Sequence, residues 1–300
     1  MQDVILSWII YAYHYKRLDR MSKANQNTGG NFSFSPYVSE VKGELQETDP
    51  QERCKVIENK LPDLSDINAN EPGEGYRNFE LLSDSYSEGQ LTRYLLNSAS
   101  KVVHFEYIYE KSENVKSIHK GELVDVETLT ARLVDVYWFD NIMLFSGRSE
   151  DISKARNKLQ SELVGELRIE KVSFPTEILN EVLDNRHSDR HLNEKTPRII
   201  DIRSLTAKGN EDVSQISIHG GKGIQTYTKY LEDASKVTQM IATFEYLNYT
   251  LLANISESTI HIYTINPSDS LNNKEKLLVS ILFSSSFIRN FNNSKPGALK

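Results

Sequence analysis

Val102-Val103-His104-Phe105-Glu106-Tyr107-Ile108-Tyr109 is β-branched or aromatic at most positions, so it reads as a β-strand. Phe105, Tyr107 and Tyr109 alternate and therefore share one face of it. Packing in a core or across strands accounts for them better than base stacking, because no aromatic RNA-recognition pattern surrounds them. Leu133 to Phe139 and Ile142 to Phe145 read as two more strands, divided by Asp140-Asn141, a pair suited to a hairpin turn. Then the period changes. Ile152, Ala155, Leu159 and Leu163 recur at helical spacing, with Ser146 or Ser149 as the N-cap. Leu167 to Phe174 follows as a strand, and Pro175 opens a helix to about Asp184.

A similar order recurs downstream. Arg198 to Leu205 and Val213 to His219 read as strands around Lys208-Gly209-Asn210, and Gln225 to Val237 as a helix. Met240 to Ala253 and Thr259 to Ile265 read as a hairpin, and Asn273 to Phe287 as the closing helix. Residues 131–185 and 198–287 thus share a hairpin-helix-strand-helix order, the second with one extra strand. The reading is two related halves, although α+β proteins also repeat such units without common origin. In a duplicated chain the groove between halves is where a ligand pocket is expected.

Upstream, Val4 to Leu18 has helical spacing, whereas residues 22–90 hold four of the eight prolines and breaker runs such as Glu47-Thr48-Asp49-Pro50 and Glu71-Pro72-Gly73-Glu74-Gly75. Short elements on long loops are expected there, a segment that a protein partner could order. The expected fold class is α+β, with mixed or antiparallel sheets, helices and a loop-rich N-terminal third. The expected division is 1–95 (N-terminal helix plus loop-rich region), 96–195 and 196–300.

The 300 residues are 38% hydrophobic and 26% charged, which fits a globular chain and neither disorder nor a fibrous repeat. No apolar run approaches the ~20 residues of a membrane span. The net charge of −7 argues against a general nucleic-acid coat or a membrane-surface binder. Only 196–300 is net basic, by two charges, which is too small a tilt to argue nucleic acid. The first ten residues place Asp3 where a signal peptide carries a basic residue, and the lone Cys54 can form neither an intrachain disulfide nor a cysteine-rich zinc site. A cytoplasmic protein without a membrane partner is expected.

Two motifs carry candidate chemistry. In Ile216-Ser217-Ile218-His219-Gly220-Gly221-Lys222-Gly223-Ile224 a strand runs into glycines and a lysine ahead of a helix. Gly220, Gly221 and Gly223 let the backbone approach a phosphate, the N–H groups up to Ile224 point outward, and Lys222 adds charge. The spacing is neither that of a Walker A loop nor a dinucleotide fingerprint, and a tight strand-to-helix turn explains the same glycines. Gly220 to Gly223 also satisfies the Gly-x-x-Gly of KH domains, but there the loop joins two helices.

The second motif is Glu181, Asp184, His187 and His191, which fall on one face if the helix continues. His-x-x-x-His with carboxylates can hold a divalent metal, although Asn185, Ser188 and Asp189 read first as an exposed charged loop. Glu40-Val41-Lys42 is a fragment of a nuclease pattern without its upstream acid, and no Gly-x-Ser-x-Gly elbow is present. Arg53 and Lys55 flank Cys54, but an incidental cysteine is the favoured reading.

The sequence therefore favours a non-enzymatic binding or regulatory protein that meets a phosphate-bearing ligand or nucleic acid through Gly220–Gly223. The alternatives are a metal-dependent phosphodiesterase or nuclease using His187 and His191, and a scaffold that meets a protein partner through 22–90. No cofactor is expected beyond a divalent metal in the second case.

Overall fold

The computed structural model describes residues 31–46, 49–64, 73–86, 93–119, 122–172, 174, 196–208, 216–219, 236–266 and 271–292. Phe32-Ser33-Phe34-Ser35-Pro36-Tyr37-Val38-Ser39-Glu40-Val41 forms the first strand, β1 (Phe32–Val41). Alternate side chains of a strand point to opposite faces. Phe32 and Phe34 accordingly enter one apolar cluster and Tyr37 another. A strand apolar on both faces belongs inside a sheet, and β1 lies near the centre of one with eleven strands.

On one side of β1 are β2 (Glu74–Leu81), β3 (Val102–His119), β4 (Glu122–Phe139) and β5 (Ile142–Ser146). On the other are β7 (Arg198–Lys208), β8 (Ile216–His219), β9 (Lys236–Tyr246), β10 (Tyr249–Ser256) and β11 (Ile260–Asn266). The path is β2-β3-β4-β5-β1-β11-β10-β9-β7-β8, with β6 (Leu167–Lys171) also paired to β1. Every ladder between these strands is antiparallel.

β1 changes neighbours partway along. Phe32 to Phe34 pair with Ile262 to Ile260 of β11, and Tyr37 to Val41 pair with Lys171 to Leu167 of β6. Pro36 sits between the two ladders. Its carbonyl accepts from the Val172 N–H at 3.0 Å, so it points to that same side. The amide nitrogen of a strand residue points where its carbonyl does, so the N–H that proline lacks would have faced Val172, next in the β6 register. The proline forgoes one bond at the end of the β1–β6 ladder, beside the change of partner to β11.

Helices cover both faces. α1 (Pro50–Lys60) and α3 (Ser149–Glu162) bring Ile57, Ile152 and Leu159 into the cluster that holds Phe105, Tyr107, Trp138 and Phe145. α2 (Arg93–Ala99) and the long α4 (Asn273–Asn292) contribute to the cluster on the opposite face. There Phe283 and Phe287 of α4 meet Phe244 edge-on, with ring centroids 5.1 and 6.0 Å apart. Asp49 caps α1 by accepting from the Gln51 N–H at 3.0 Å, and Pro50 occupies the first turn. Two residues that read as loop breakers are therefore a helix start.

Helices and antiparallel strands are both present, but the sheet dominates more than α+β implies. The hairpin at Asp140-Asn141 forms as the sequence indicates, with Asp140 at φ 54°. Met240 to Ala253, which reads as one strand, is two: β9 and β10 are joined at Leu247-Asn248, with φ values of 50° and 65°. Positive φ is unusual for a leucine, so the turn has no glycine to announce it. The expected strand from Val213 begins at Ile216. Of the helix expected over 225–237, only Lys236 and Val237 are described, and they open β9. Among the described residues no helix is long and apolar enough to cross a membrane.

β3 and β4 pair over all eighteen residues of each, and toward their shared tip Asn114 to Lys116 and Leu123 are exposed, Val115 by 48% and Leu123 by 71%. Position within the sheet thus sets the expected cost of substitution. Phe34→Ala, at a buried site edge-on to Tyr137, should lose about 3–5 kcal/mol. Val115→Thr should stay within about 0.5 kcal/mol. Equilibrium denaturation of both variants against the parent checks the contrast.

Candidate active-face cluster

Opposite the aromatic face of β3, His104 and Glu106 point the other way. The register of β4 sets Tyr137 beside His104 and Asp135 beside Glu106. β2 supplies Arg77 opposite Glu106 and Glu80 opposite His104. The register shifts between Arg77 and Glu80, where Asn78 takes φ 57°, a left-handed conformation that asparagine tolerates. Three adjacent strands thereby gather five ionisable side chains on one face.

The cluster is bonded within itself. Arg77 Nε donates to Glu106 Oε2 at 2.8 Å, and both side chains are largely withdrawn from solvent. His104 lies between two carboxylates, with Nδ1 3.3 Å from Glu80 Oε1 and Nε2 3.3 Å from Asp135 Oδ1. Ser85 Oγ donates to Glu80 Oε1 at 2.6 Å. The Tyr137 ring stacks on the imidazole at 4.8 Å and 12°, which fixes the ring plane. Burial by itself would lower the His104 pKa, but the Asp135 and Glu80 contacts outweigh it and push it up to about 9. Burial likewise opposes the charge on Glu80, yet the His104 and Ser85 hydrogen bonds hold its carboxyl below the usual range.

A cavity of about 30 Å³ opens beside the ring, lined by Glu80, Ser85, Tyr86, His104, Tyr137 and Lys274 among others. It lies where the two sides of the sheet meet, since Lys274 belongs to α4 and the rest to the first side. Asn272 and Glu275 fix that helix start by exchanging backbone-to-side-chain bonds of 2.8 and 2.9 Å, a capping box. Lys274 Nζ then donates to the Ser85 carbonyl at 2.6 Å, and Tyr86 Oη donates to the Lys274 carbonyl at 2.7 Å.

These contacts limit the chemistry. With a carboxylate at each ring nitrogen, His104 carries two protons and has no lone pair with which to act as a base. The Ser85 hydroxyl is given to Glu80 and not to an imidazole, so it is no activated nucleophile. The nearest fit is to a cation: donor atoms of His104, Glu106 and Asp135 all lie within 4.8 Å of one another.

The sequence motifs supply none of these residues. Glu181, Asp184, His187 and His191 lie outside the described residues, as do Gly220, Gly221, Lys222, Gly223 and Ile224. β8 does end at His219, immediately before Gly220, and it is the last strand of the sheet. Glu40 and Lys42 pair with each other at 3.8 Å on an exposed strand end. Cys54 is buried, and desolvation, then the charge of Glu58, pushes its thiol up to about 11. Arg53 does not lower it. That guanidinium instead lies over Trp138, 5.0 Å from the ring, and donates to the Asp140 carbonyl.

The cluster is hard to read from sequence because its members come from three strands far apart along the chain, and alternation makes polar residues in such a strand look solvent-facing. The available signal was Asp135, one acid inside Leu133-Val134-Asp135-Val136-Tyr137-Trp138-Phe139. No protein-family model and no curated protein sequence matches this chain.

Two outcomes follow from the burial. At pH 8 roughly one Cys54 in a thousand is thiolate, so an aromatic disulfide reagent should react slowly with native protein and promptly in denaturant. Equal rates would contradict the buried thiol. Arg77→Met strips Glu106 of its guanidinium partner and should cost about 3–5 kcal/mol in denaturant titration.

Proposed function

We propose that the protein is a non-enzymatic binding or regulatory protein of the cytoplasm whose ligand carries phosphate, nucleic acid included. Lys222 supplies charge, and the N–H groups of Gly221, Gly223 and Ile224 meet phosphate oxygens. The observation that carries this reading is the position of β8. The terminal strand of the sheet, with Ser217 and His219 exposed, runs directly into Gly220. Among the described strands β8 has a neighbour on one side only, β7, and strand-to-loop junctions rich in glycine favour anions. The internal bonding of the His104 cluster supports binding over catalysis, because its serine and histidine are engaged with carboxylates.

The finer fold reading belongs here as well. We take residues 131–185 and 198–287 as related halves; in support, the described parts hold the neighbours β4-β5 with α3 on one side of β1 and β7-β9-β10-β11 with α4 on the other.

A gel-shift series tests the function with labelled single- and double-stranded DNA and RNA, at low and moderate salt, with magnesium, manganese or EDTA. A salt-sensitive shift is expected without cleavage, and Lys222→Ala should reduce its salt slope by about 1. Undiminished binding by Lys222→Ala and Gly221→Val would overturn the role of the loop. Metal-dependent cleavage would replace the binding reading with a phosphodiesterase. Silence in every lane would leave the scaffold reading through 22–90.

A further inference from the structure

We infer that His104 Nε2, Asp135 and Glu106 form the protein side of a binding site for one divalent transition-metal ion, zinc first among the candidates. The site is independent of the glycine loop and of its ligand.

The first argument is distance. A charge-assisted hydrogen bond between an imidazolium and a carboxylate closes to about 2.7–2.9 Å. The Nε2–Oδ1 separation is 3.3 Å. Two donors each 2.0–2.1 Å from a tetrahedral zinc ion stand about 3.3 Å apart, which is the edge of that tetrahedron. The Nδ1–Oε1 separation to Glu80 is also 3.3 Å, so the spacing at Nε2 accommodates an ion but does not by itself demand one. The Glu106 donor completes a set lying within 4.8 Å of one another.

Charge is the second argument. The face holds three carboxylates, Glu80, Glu106 and Asp135, against Arg77 and one imidazolium, with the Lys274 ammonium at its rim. Without Lys274 those five groups carry one net negative charge. Exchanging the proton between His104 and Asp135 for a dication places the added charge among the carboxylates and not at the rim. Asp135 is the group most in need of that exchange: it is only 8% exposed, and its one hydrogen bond among the described residues is the long contact to His104.

The third argument is the support behind each donor. A ligating histidine nearly always gives its other N–H to a carboxylate or carbonyl, which orients the ring and raises its basicity. Glu80 stands at Nδ1, is itself held by Ser85, and Tyr137 fixes the ring plane. Arg77 steadies Glu106 through one oxygen, and a carboxylate has lone pairs enough to serve a guanidinium and a metal together. One imidazole with two carboxylates suits zinc, iron(II) or manganese(II) better than calcium. Three protein donors leave a fourth position to water.

The test uses the full chain. Protein stripped with EDTA and passed through a desalting column is titrated with cobalt(II) and, separately, with zinc(II). One equivalent of cobalt should produce the intense visible bands of a tetrahedral N/O site, zinc should bleach them, and elemental analysis should return one metal per chain. Asp135→Asn and Glu106→Gln keep the side-chain shape; folded by circular dichroism, each should weaken cobalt binding at least tenfold. Should Asp135→Asn fail to fold, the Glu106→Gln titration and the wild-type spectrum decide. Absence of a cobalt spectrum together with no metal retained would overturn the site. So would unchanged affinity in a folded variant, since the ion would then be held elsewhere.

Discussion

The structure depends on a single strand being shared. β1 gives its first residues to β11 and its last to β6, while its middle pairs with β5. Its apolar side chains alternate between the cluster under α4 and the cluster under α1 and α3. Backbone hydrogen bonds and hydrophobic burial therefore act through the same ten residues to join the two sides of the sheet. Pro36 marks the point of exchange, where the β6 ladder ends with the single bond from Val172.

The His104 cluster follows from that arrangement. β2, β3 and β4 lie on one side of β1, and their face away from α1 and α3 is closed in part by α4, which comes from the other side. Lys274 and Tyr86 tie the α4 start to the turn that carries Ser85, and Ser85 orients Glu80. A charged group buried without partners is costly, whereas one partnered on every side fixes its neighbours' positions. Arg77 with Glu106, and His104 between Glu80 and Asp135, are of the second kind.

Much of the fold is legible in residues 102–163. The first half of β3, the end of β4 with its β5 hairpin, and α3 follow from alternation, Asp140-Asn141 and the spacing of Ile152, Ala155 and Leu159. The polar stretch 110–132 gives no sign that both strands run on, and α3 starts after Arg148 without the serine cap that Ser146 or Ser149 suggests. β1 and β2 are less legible. Pro36 argues against an interior strand unless the partner exchange is known, and the shift around Asn78 breaks the alternation of β2. The turn at Leu247-Asn248 is hidden because its conformation is imposed by the pairing of β9 with β10 and not by a glycine. For the site, tertiary contact is the whole signal: Glu80, His104 and Asp135 are joined only by strand register. The glycine loop and the His187–His191 segment, which are conspicuous in sequence, lie outside the described residues.

The claim that β1 makes the two sides one cooperative unit is tested most directly by native-state hydrogen exchange read by mass spectrometry. Under increasing denaturant, amides of Val102–Tyr109 in β3 and of Leu251–Ile255 in β10 should converge on one opening free energy, with the same denaturant dependence. Two separate opening energies, with one side exchanging fully while the other stays protected, would contradict the shared strand as the element that couples them.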